Sequence, residues 1–121
     1  MQVFLDKFGI TQTCRVVPSL VRQKAGYSLG PHTDSPNKVL TVLFYLPQED
    51  CLEAGTVIYR PKARGFKCEG NRHHAFRDFE TVKVVPFKPD SVFAFVKSDI
   101  SFHGVEPVKT TRDVLQYNIN A

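Results

Sequence analysis

Short apolar runs separated by Gly, Pro, Asn and Asp are the feature that most limits what this chain can fold into. Sustained 3.6-residue periodicity is missing, apart from a short turn of helix that fits Met1–Phe8. Runs this short, punctuated in this way, are typical of β-strands joined by turns. The sequence therefore predicts an all-β chain with little helix.

About eight candidate strands follow from these runs. They are Arg15–Arg22, Tyr27–His32, Val39–Leu46, Thr56–Tyr59, Thr81–Pro86, Ser91–Val96, Ile100–Val105 and Asp113–Ile119. Pro18 cannot donate a ladder hydrogen bond, which predicts that the first strand lies at a sheet edge or carries a bulge. The polar, aperiodic segment Lys62–Phe79 is predicted to be a loop over one face. This strand count is compatible with a jelly roll, a sandwich or a barrel.

Composition narrows the class of protein. The 121 residues suffice for one domain, positions 1–121, and 42% hydrophobic residues exclude a disordered chain. The longest apolar stretch, around Val39–Leu46, is far too short for a membrane span, so no membrane association is expected. Three cysteines without a CxxC pair favour a reducing, cytoplasmic compartment. The net charge of +4 is spread along the chain, which does not predict nucleic-acid binding.

Two candidate strands each have one apolar face and one mixed face, because successive side chains point to opposite sides of a strand. In Val39–Leu46, the mixed face carries Thr41, Leu43 and Tyr45, and the apolar face carries Leu40, Val42, Phe44 and Leu46. In the last strand, the mixed face carries Arg112, Val114, Gln116 and Asn118, opposite Leu115, Tyr117 and Ile119. The mixed faces would meet water in a sandwich, or line a ligand pocket in a barrel-like roll.

The segment around His32 and Asp34 suggests a metal site. On an extended backbone these two side chains point to the same side and could present a nitrogen and a carboxylate oxygen to one ion. His103 is the best placed second histidine. Two His and one carboxylate form the facial triad of non-haem Fe(II) oxygenases. Alternatively, His32 and Asp34 form a turn-capping pair, and His103 is a hydrogen-bonded strand-end histidine.

Arg112 begins the last strand on its mixed face. Its guanidinium could bind the far carboxylate of a dicarboxylate that chelates the metal, through two charge-assisted hydrogen bonds. Tyr45 and Thr41 could add hydroxyl donors to that carboxylate. The alternatives are an ion pair of Arg112 with Asp113 or Glu106, and a half-buried core tyrosine at position 45.

Six blocks follow one another along the chain in an order that resembles that of a known family, and the resemblance covers roughly Arg15 to Ile119. The blocks are Tyr27–Gly30–His32–x–Asp34, Leu43–Pro47, Ala54–Thr56, Pro89–Phe93, His103–Val105 and Arg112. Together they resemble the Fe(II)/2-oxoglutarate-dependent dioxygenases, and among these the prolyl-hydroxylase-like branch.

The resemblance implies a double-stranded β-helix, that is, a jelly roll of eight strands, and an enzyme that uses Fe(II), 2-oxoglutarate and O₂. His32, Asp34 and His103 would be the iron ligands. Arg112 would bind 2-oxoglutarate, and Tyr45 would hydrogen-bond the same carboxylate. The reaction would hydroxylate a C–H bond of a small-molecule or peptidyl substrate and release succinate and CO₂.

The chain also departs from the family pattern. Arg22 stands where some relatives carry a second tyrosine that contacts 2-oxoglutarate. Asn118 stands where the nucleic-acid demethylases carry a second arginine, which argues against a nucleic-acid substrate. Only residues 1–14 precede the first strand, where relatives place helices that cover the larger sheet. Parts of the apolar faces of Val39–Leu46 and the last strand are therefore expected to lie bare, in a truncated chain or a homo-oligomer.

Two other classes remain open from the sequence. One is a cupin-type binding module in which the His and Asp residues hold a structural or different metal. The other is a cupin-type metalloenzyme that does not use 2-oxoglutarate. In all three classes, His73 and His74 are expected to lie in the polar loop as exposed or substrate-rim residues, not as metal ligands.

Overall fold

A computed structural model describes residues 1–48 and 50–121, and eight strands in this part of the chain form two antiparallel four-stranded sheets. The strands are β1 (Arg15–Gln23), β2 (Leu29–His32), β3 (Lys38–Tyr45), β4 (Val57–Pro61), β5 (Phe79–Val84), β6 (Ser91–Val96), β7 (His103–Val105) and β8 (Arg112–Asn120). One helix, α1 (Gln2–Lys7), precedes them, and two 3₁₀ turns cover Leu52–Ala54 and Phe76–Asp78. No helix within the described ranges has the length and apolar character to span a membrane.

The strand order is β1-β8-β3-β6 in one sheet and β2-β7-β4-β5 in the other. Every connection except that from β4 to β5 passes from one sheet to the other, which is the winding of a jelly roll. This confirms the predicted all-β fold. β1 lies at a sheet edge, as the missing N–H of Pro18 predicts.

Several predicted strand ends are wrong by a few residues, and local hydrogen bonds explain two of them. β7 begins at His103 and not at Ile100, because Ser98 and Ser101 close a turn in which the Ser101 hydroxyl donates to the Ser98 carbonyl at 2.9 Å. β5 ends at Val84, before Pro86, which has no N–H to continue the ladder. β8, in contrast, is longer than predicted and begins one residue earlier, at Arg112.

Three clusters of buried apolar side chains hold the fold together. The first lies between the sheets and includes Leu43, Tyr45, Phe87, Val105 and Val114. The second includes Val57, Tyr59, Phe79 and Phe102. β4 pairs with β7, which carries His103, and the second cluster lies on the face of this pair that points away from the His103 side chain. The 62–79 loop covers this second cluster, and the Phe66 ring stacks on that of Phe102 at a centroid distance of 5.8 Å. The third consists of Leu40, Val42 and Ile119.

The third cluster corrects the expectation of a bare sheet face. Leu40, Val42 and Ile119 are fully buried, because α1 packs Phe4 and Leu5 over them. A helix of under two turns thus covers the centre of the β1-β8-β3-β6 sheet, which has the longer strands and is called the larger sheet below. The apolar side chains that remain exposed include Val16, Val17 and Leu20 in β1, Val92 and Val96 in β6, and Leu46 just after β3.

Candidate metal centre

His32 and His103 face each other across the β2–β7 pair, in which they are direct cross-strand partners. Their ring centroids lie 4.3 Å apart, and both residues are buried. Seventy residues of sequence lie between the two histidines, and the pairing of β2 with β7 brings them together.

Asp34 completes the cluster by a route that differs from the predicted one. β2 ends at His32, and Asp34 has a left-handed backbone with φ of 76°, so the two residues do not share an extended strand. Aspartate tolerates this conformation better than most residues. The turn still brings Asp34 Oδ1 to 3.1 Å from His32 Nε2 and 3.3 Å from His103 Nε2.

The hydrogen bonds of the two imidazoles determine which ring nitrogen faces Asp34. His32 Nδ1 lies 2.9 Å from the Gly30 carbonyl oxygen, and His103 Nδ1 lies 2.8 Å from that of Ser101. A carbonyl oxygen only accepts, so each Nδ1 carries the proton. In the neutral ring, Nε2 then offers its lone pair, which is the usual arrangement of a metal-binding histidine with an outer hydrogen-bond partner.

The donor set fits a cation. One potential ligand atom from each of His32, Asp34 and His103 lies within 4.8 Å of the others. Adjacent ligands of one ion at about 2.1 Å and a right angle are about 3.0 Å apart, close to the observed nitrogen–oxygen distances. Three acceptor atoms this close repel one another unless a metal ion or imidazole protons lie between them.

The two oxygens of Asp34 have different partners. Oδ1 faces the two histidines, whereas Oδ2 lies 3.6 Å from Lys38 Nζ and accepts a hydrogen bond from Thr41 Oγ1 at 3.5 Å. Burial alone would raise the pKa of Asp34. Without a cation, hydrogen bonds that protonated His103 and His32 rings donate through Nε2, followed by the charges of His103 and Lys38, hold this pKa well below its usual range. The carboxylate is therefore ionised and available to a cation.

Arg112 is only 4% exposed and already has three partners. Its Nε donates to the Ala54 carbonyl at 2.7 Å, Nη1 to Gln23 Oε1 at 2.6 Å, and Nη2 to Thr56 Oγ1 at 3.2 Å. Burial lowers the pKa of Arg112, yet a guanidinium stays protonated in a protein. Of its five N–H groups, two remain for a ligand.

A small cavity of about 70 Å³ joins Arg112 to the metal cluster. Its polar lining consists of Gln23, His32, Asp34, Thr41, Thr56, His103, Arg112 and Gln116. Leu43, Phe95 and Val105 are among its apolar lining residues, and the Phe95 ring lies 4.4 Å from that of His103. The structure thus gathers the predicted ligands, Arg112 and Thr41 around one space.

Tyr45 lies behind this cavity. Its hydroxyl donates to Thr56 Oγ1 at 2.9 Å and accepts from the Thr56 backbone N–H at 3.1 Å, while Thr56 Oγ1 also receives the Arg112 hydrogen bond. The tyrosine therefore positions Thr56, and through it Arg112. Direct contact of Tyr45 with a cosubstrate stays a prediction.

Gln23 also lines the cavity, although no sequence pattern predicted it as a site residue. Arg22 points away from the cavity and forms a surface ion pair with Asp113 at 2.9 Å. The next residue, Gln23, faces inward and contacts Arg112. Alternation along β1 separates the two side chains, but the sequence does not reveal which face of this edge strand is the inner one.

The 62–79 loop reaches the outer side of the cluster. Residues 71, 72 and 73 are exposed beside Asp34, and the His73 ring stands perpendicular to that of His32 at 4.6 Å. Burial and the charge of His32 lower the pKa of His73. His74 instead enters the aromatic cluster with Phe79 and Phe102, so it is half-buried, not exposed as expected.

Comparisons with known proteins do not assign a family. No protein-family model matches the chain, and no curated protein matches it. A solved structure described as "Bacillus endospore appendages form a novel family of disulfide-linked pili" aligns at a TM-score of 0.44 and 9% identity, over 92% of this chain and 90% of that one. At that TM-score the likeness establishes neither a shared fold nor a shared function.

Proposed function

We propose that this chain is an Fe(II)- and 2-oxoglutarate-dependent oxygenase that hydroxylates a C–H bond of its substrate. The observation that supports the proposal is the shared cavity, which has the His32–Asp34–His103 cluster and the buried Arg112 in its walls. A cation site beside a buried guanidinium suits a cosubstrate that chelates metal at one end and carries a carboxylate at the other.

The metal ligands and the metal itself would have separate roles in this reaction. His32, Asp34 and His103 would hold Fe(II) on one face and leave three coordination positions for ligands. Fe(II) with O₂ would supply the redox chemistry that couples decarboxylation of 2-oxoglutarate, giving succinate and CO₂, to hydroxylation of the substrate.

The far carboxylate of 2-oxoglutarate would bind the two unused N–H groups of Arg112. Such charge-assisted bonds are stronger than neutral ones, and more so in a buried site. Thr56 and Gln23 hold the guanidinium in place before the cosubstrate arrives, which reduces the entropy lost on binding. Leu43 and Phe95 add apolar surface to the same cavity.

One observation favours a second candidate, a cupin-type metal protein that does not use 2-oxoglutarate. Three of the five N–H groups of Arg112 already bind protein atoms, so the residue could serve only to stabilise the fold. In that case the metal cluster would function without the guanidinium.

Calorimetric titration of 2-oxoglutarate into the Mn(II)-loaded protein separates the two candidates. Arg112→Ala should weaken binding roughly 30-fold or more, because charge-assisted hydrogen bonds contribute about 1.5–3 kcal/mol each. Arg112→Lys, which keeps the charge but not the forked geometry, should also bind less tightly. Arg22→Ala is the control, since that side chain points outward. If the wild type, Arg112→Ala and Arg112→Lys bind 2-oxoglutarate with equal affinity, the oxygenase proposal is wrong and the cupin-type metal protein is the remaining candidate.

A further inference from the structure

The metal cluster borders two cavities. The inner one contains Arg112, and an outer one of about 350 Å³ is lined by His32, Asp34, Ser35, Asn71, Arg72 and His73. The two linings have His32 and Asp34 in common. A molecule in the outer cavity would therefore contact two of the three metal ligands.

We propose that the outer cavity is the substrate site and that Arg72 binds a carboxylate or phosphate group of a small acidic substrate. Assigning this group to the substrate rests on the proposed oxygenase function, whereas the anion site itself does not.

The charges around the outer cavity favour an anion. Among the described residues that line this cavity, Asp34 is the only acidic one. Both of its carboxylate oxygens are already engaged, with the histidines on one side and Lys38 on the other. Among the residues that the structure describes, no carboxylate lies within ion-pair distance of Arg72. Its guanidinium keeps its positive charge and its forked donors for a ligand.

The backbone around Arg72 is held in place on both sides. The Asn71 N–H donates to the Asp34 carbonyl at 3.3 Å, and the His74 N–H donates to the Pro31 carbonyl at 2.8 Å. Nearer the start of the same loop, the Cys68 carbonyl accepts a hydrogen bond from the Thr33 hydroxyl at 2.9 Å. These bonds attach the loop to the segment that carries the metal ligands, so a ligand binding at Arg72 would order little additional backbone.

The size and other walls of the cavity limit the substrate further. A volume of about 350 Å³ is at the small end of ligand pockets, which suits a compact molecule better than a folded partner. The His73 ring forms one wall beside His32, and the Asn71 amide adds neutral hydrogen-bonding groups. An acidic group held at Arg72 would leave the rest of the molecule beside the metal ligands.

The test is an NMR titration of the ¹⁵N-labelled protein with two probes, inorganic phosphate and acetate. In the metal-free protein, the backbone amides of Asn71, Arg72 and His73 should shift with saturation. Arg72→Gln should weaken binding about tenfold or more, because it removes the charged donor. Arg64→Gln is the matched control, since Arg64 is exposed in the same loop and lines neither cavity. If phosphate binds more tightly than acetate, the substrate is a phosphorylated molecule. If acetate binds as tightly as phosphate or more tightly, the substrate is a carboxylic acid.

Shifts confined to other parts of the chain, or an unchanged affinity in Arg72→Gln, would overturn the anion site. A folded spectrum of the variant excludes misfolding as the cause of any loss. Because these titrations need no iron, their outcome is independent of the oxygenase proposal. An intact anion site in a protein that does not bind Fe(II) and 2-oxoglutarate would contradict the oxygenase and the substrate assignment, but not the site.

Discussion

Gln23 and Arg112 are direct cross-strand partners in the antiparallel pair of β1 and β8, and Gln23 Oε1 accepts a hydrogen bond from Arg112 Nη1 at 2.6 Å. The contact orients one arm of a buried guanidinium, and two of its other N–H groups bind Ala54 and Thr56. Gln23 is therefore a positioning residue for the proposed cosubstrate, although it carries no charge.

Gln23→Ala should weaken 2-oxoglutarate binding about fivefold, because one hydrogen bond that orients Arg112 contributes about 1 kcal/mol. Gln23→Glu should weaken it more, since a carboxylate at this position competes with the ligand for the guanidinium. Calorimetry on the Mn(II)-loaded variants measures both effects. Tighter binding by Gln23→Ala would show instead that the glutamine obstructs the site.

The contact between Gly70 and Asp34 predicts a link between loop stability and metal affinity. Gly70 has φ of 136°, and a Cβ there would lie 2.0 Å from the Asp34 carbonyl oxygen. Gly70→Ala should therefore cost about 2–3 kcal/mol of unfolding free energy and also weaken metal binding by displacing Asp34.

Gly65→Ala is the matched control for this prediction. It lies in the same loop with φ of 77° but has open space around the Cβ position, so it should cost only about 1–2 kcal/mol. Its metal affinity should remain that of the wild type. Denaturant unfolding and Mn(II) titration measure the two quantities, and equal metal affinity in both variants would refute the link.

The packing of α1 on the larger sheet can be tested with two positions in the same helix. The Phe4 ring meets that of Phe44 edge-on at 6.2 Å and helps to cover the third cluster, whereas Val3 is 72% exposed. Phe4→Ala should lower the free energy of unfolding by about 1–2 kcal/mol, and Val3→Ala by less than about 0.5 kcal/mol. Equal effects in urea denaturation would mean that α1 does not protect the sheet.

Tyr59 should make stability depend on pH in the alkaline range. Burial, followed by the hydrogen bond from its hydroxyl to Glu106 at 2.8 Å, raises the pKa of Tyr59 above the ordinary value of about 10. A raised folded-state pKa gives stability that is fully present below the unfolded-state pKa and is lost as the pH rises through the folded-state pKa.

Tyr59→Phe removes that contribution and should cost about 1 kcal/mol at pH 8. The difference from wild type should stay constant up to about pH 10 and shrink at higher pH. Denaturant unfolding at a series of pH values checks this expectation. A difference that persists unchanged at higher pH would contradict the coupling to Glu106.

Much of the fold could be predicted because its signals are local. Turn residues delimit the strands, and alternation in β3 correctly separates Thr41 and Tyr45 from Leu40 and Val42. The pairing of His32 with Asp34 was also predicted, although the turn at Asp34 differs from the extended backbone that was assumed.

Other features depend on tertiary contacts that no local pattern encodes. The inward direction of Gln23 follows from the register of β1 on β8. The position of Arg72 follows from hydrogen bonds between an aperiodic loop and Pro31 and Asp34. The short helix α1 was expected, but its ability to bury Leu40 follows from where it packs.

The central claim, a shared site for Fe(II) and 2-oxoglutarate, is tested most directly by anaerobic titration of the metal-free protein with Fe(II) and then 2-oxoglutarate. We expect the visible charge-transfer band of the chelate in the wild type and its loss in His103→Ala. His73→Ala is the matched control, because this histidine lies beside His32 but outside the metal cluster. Iron binding without the band, or no iron binding at all, would contradict the account.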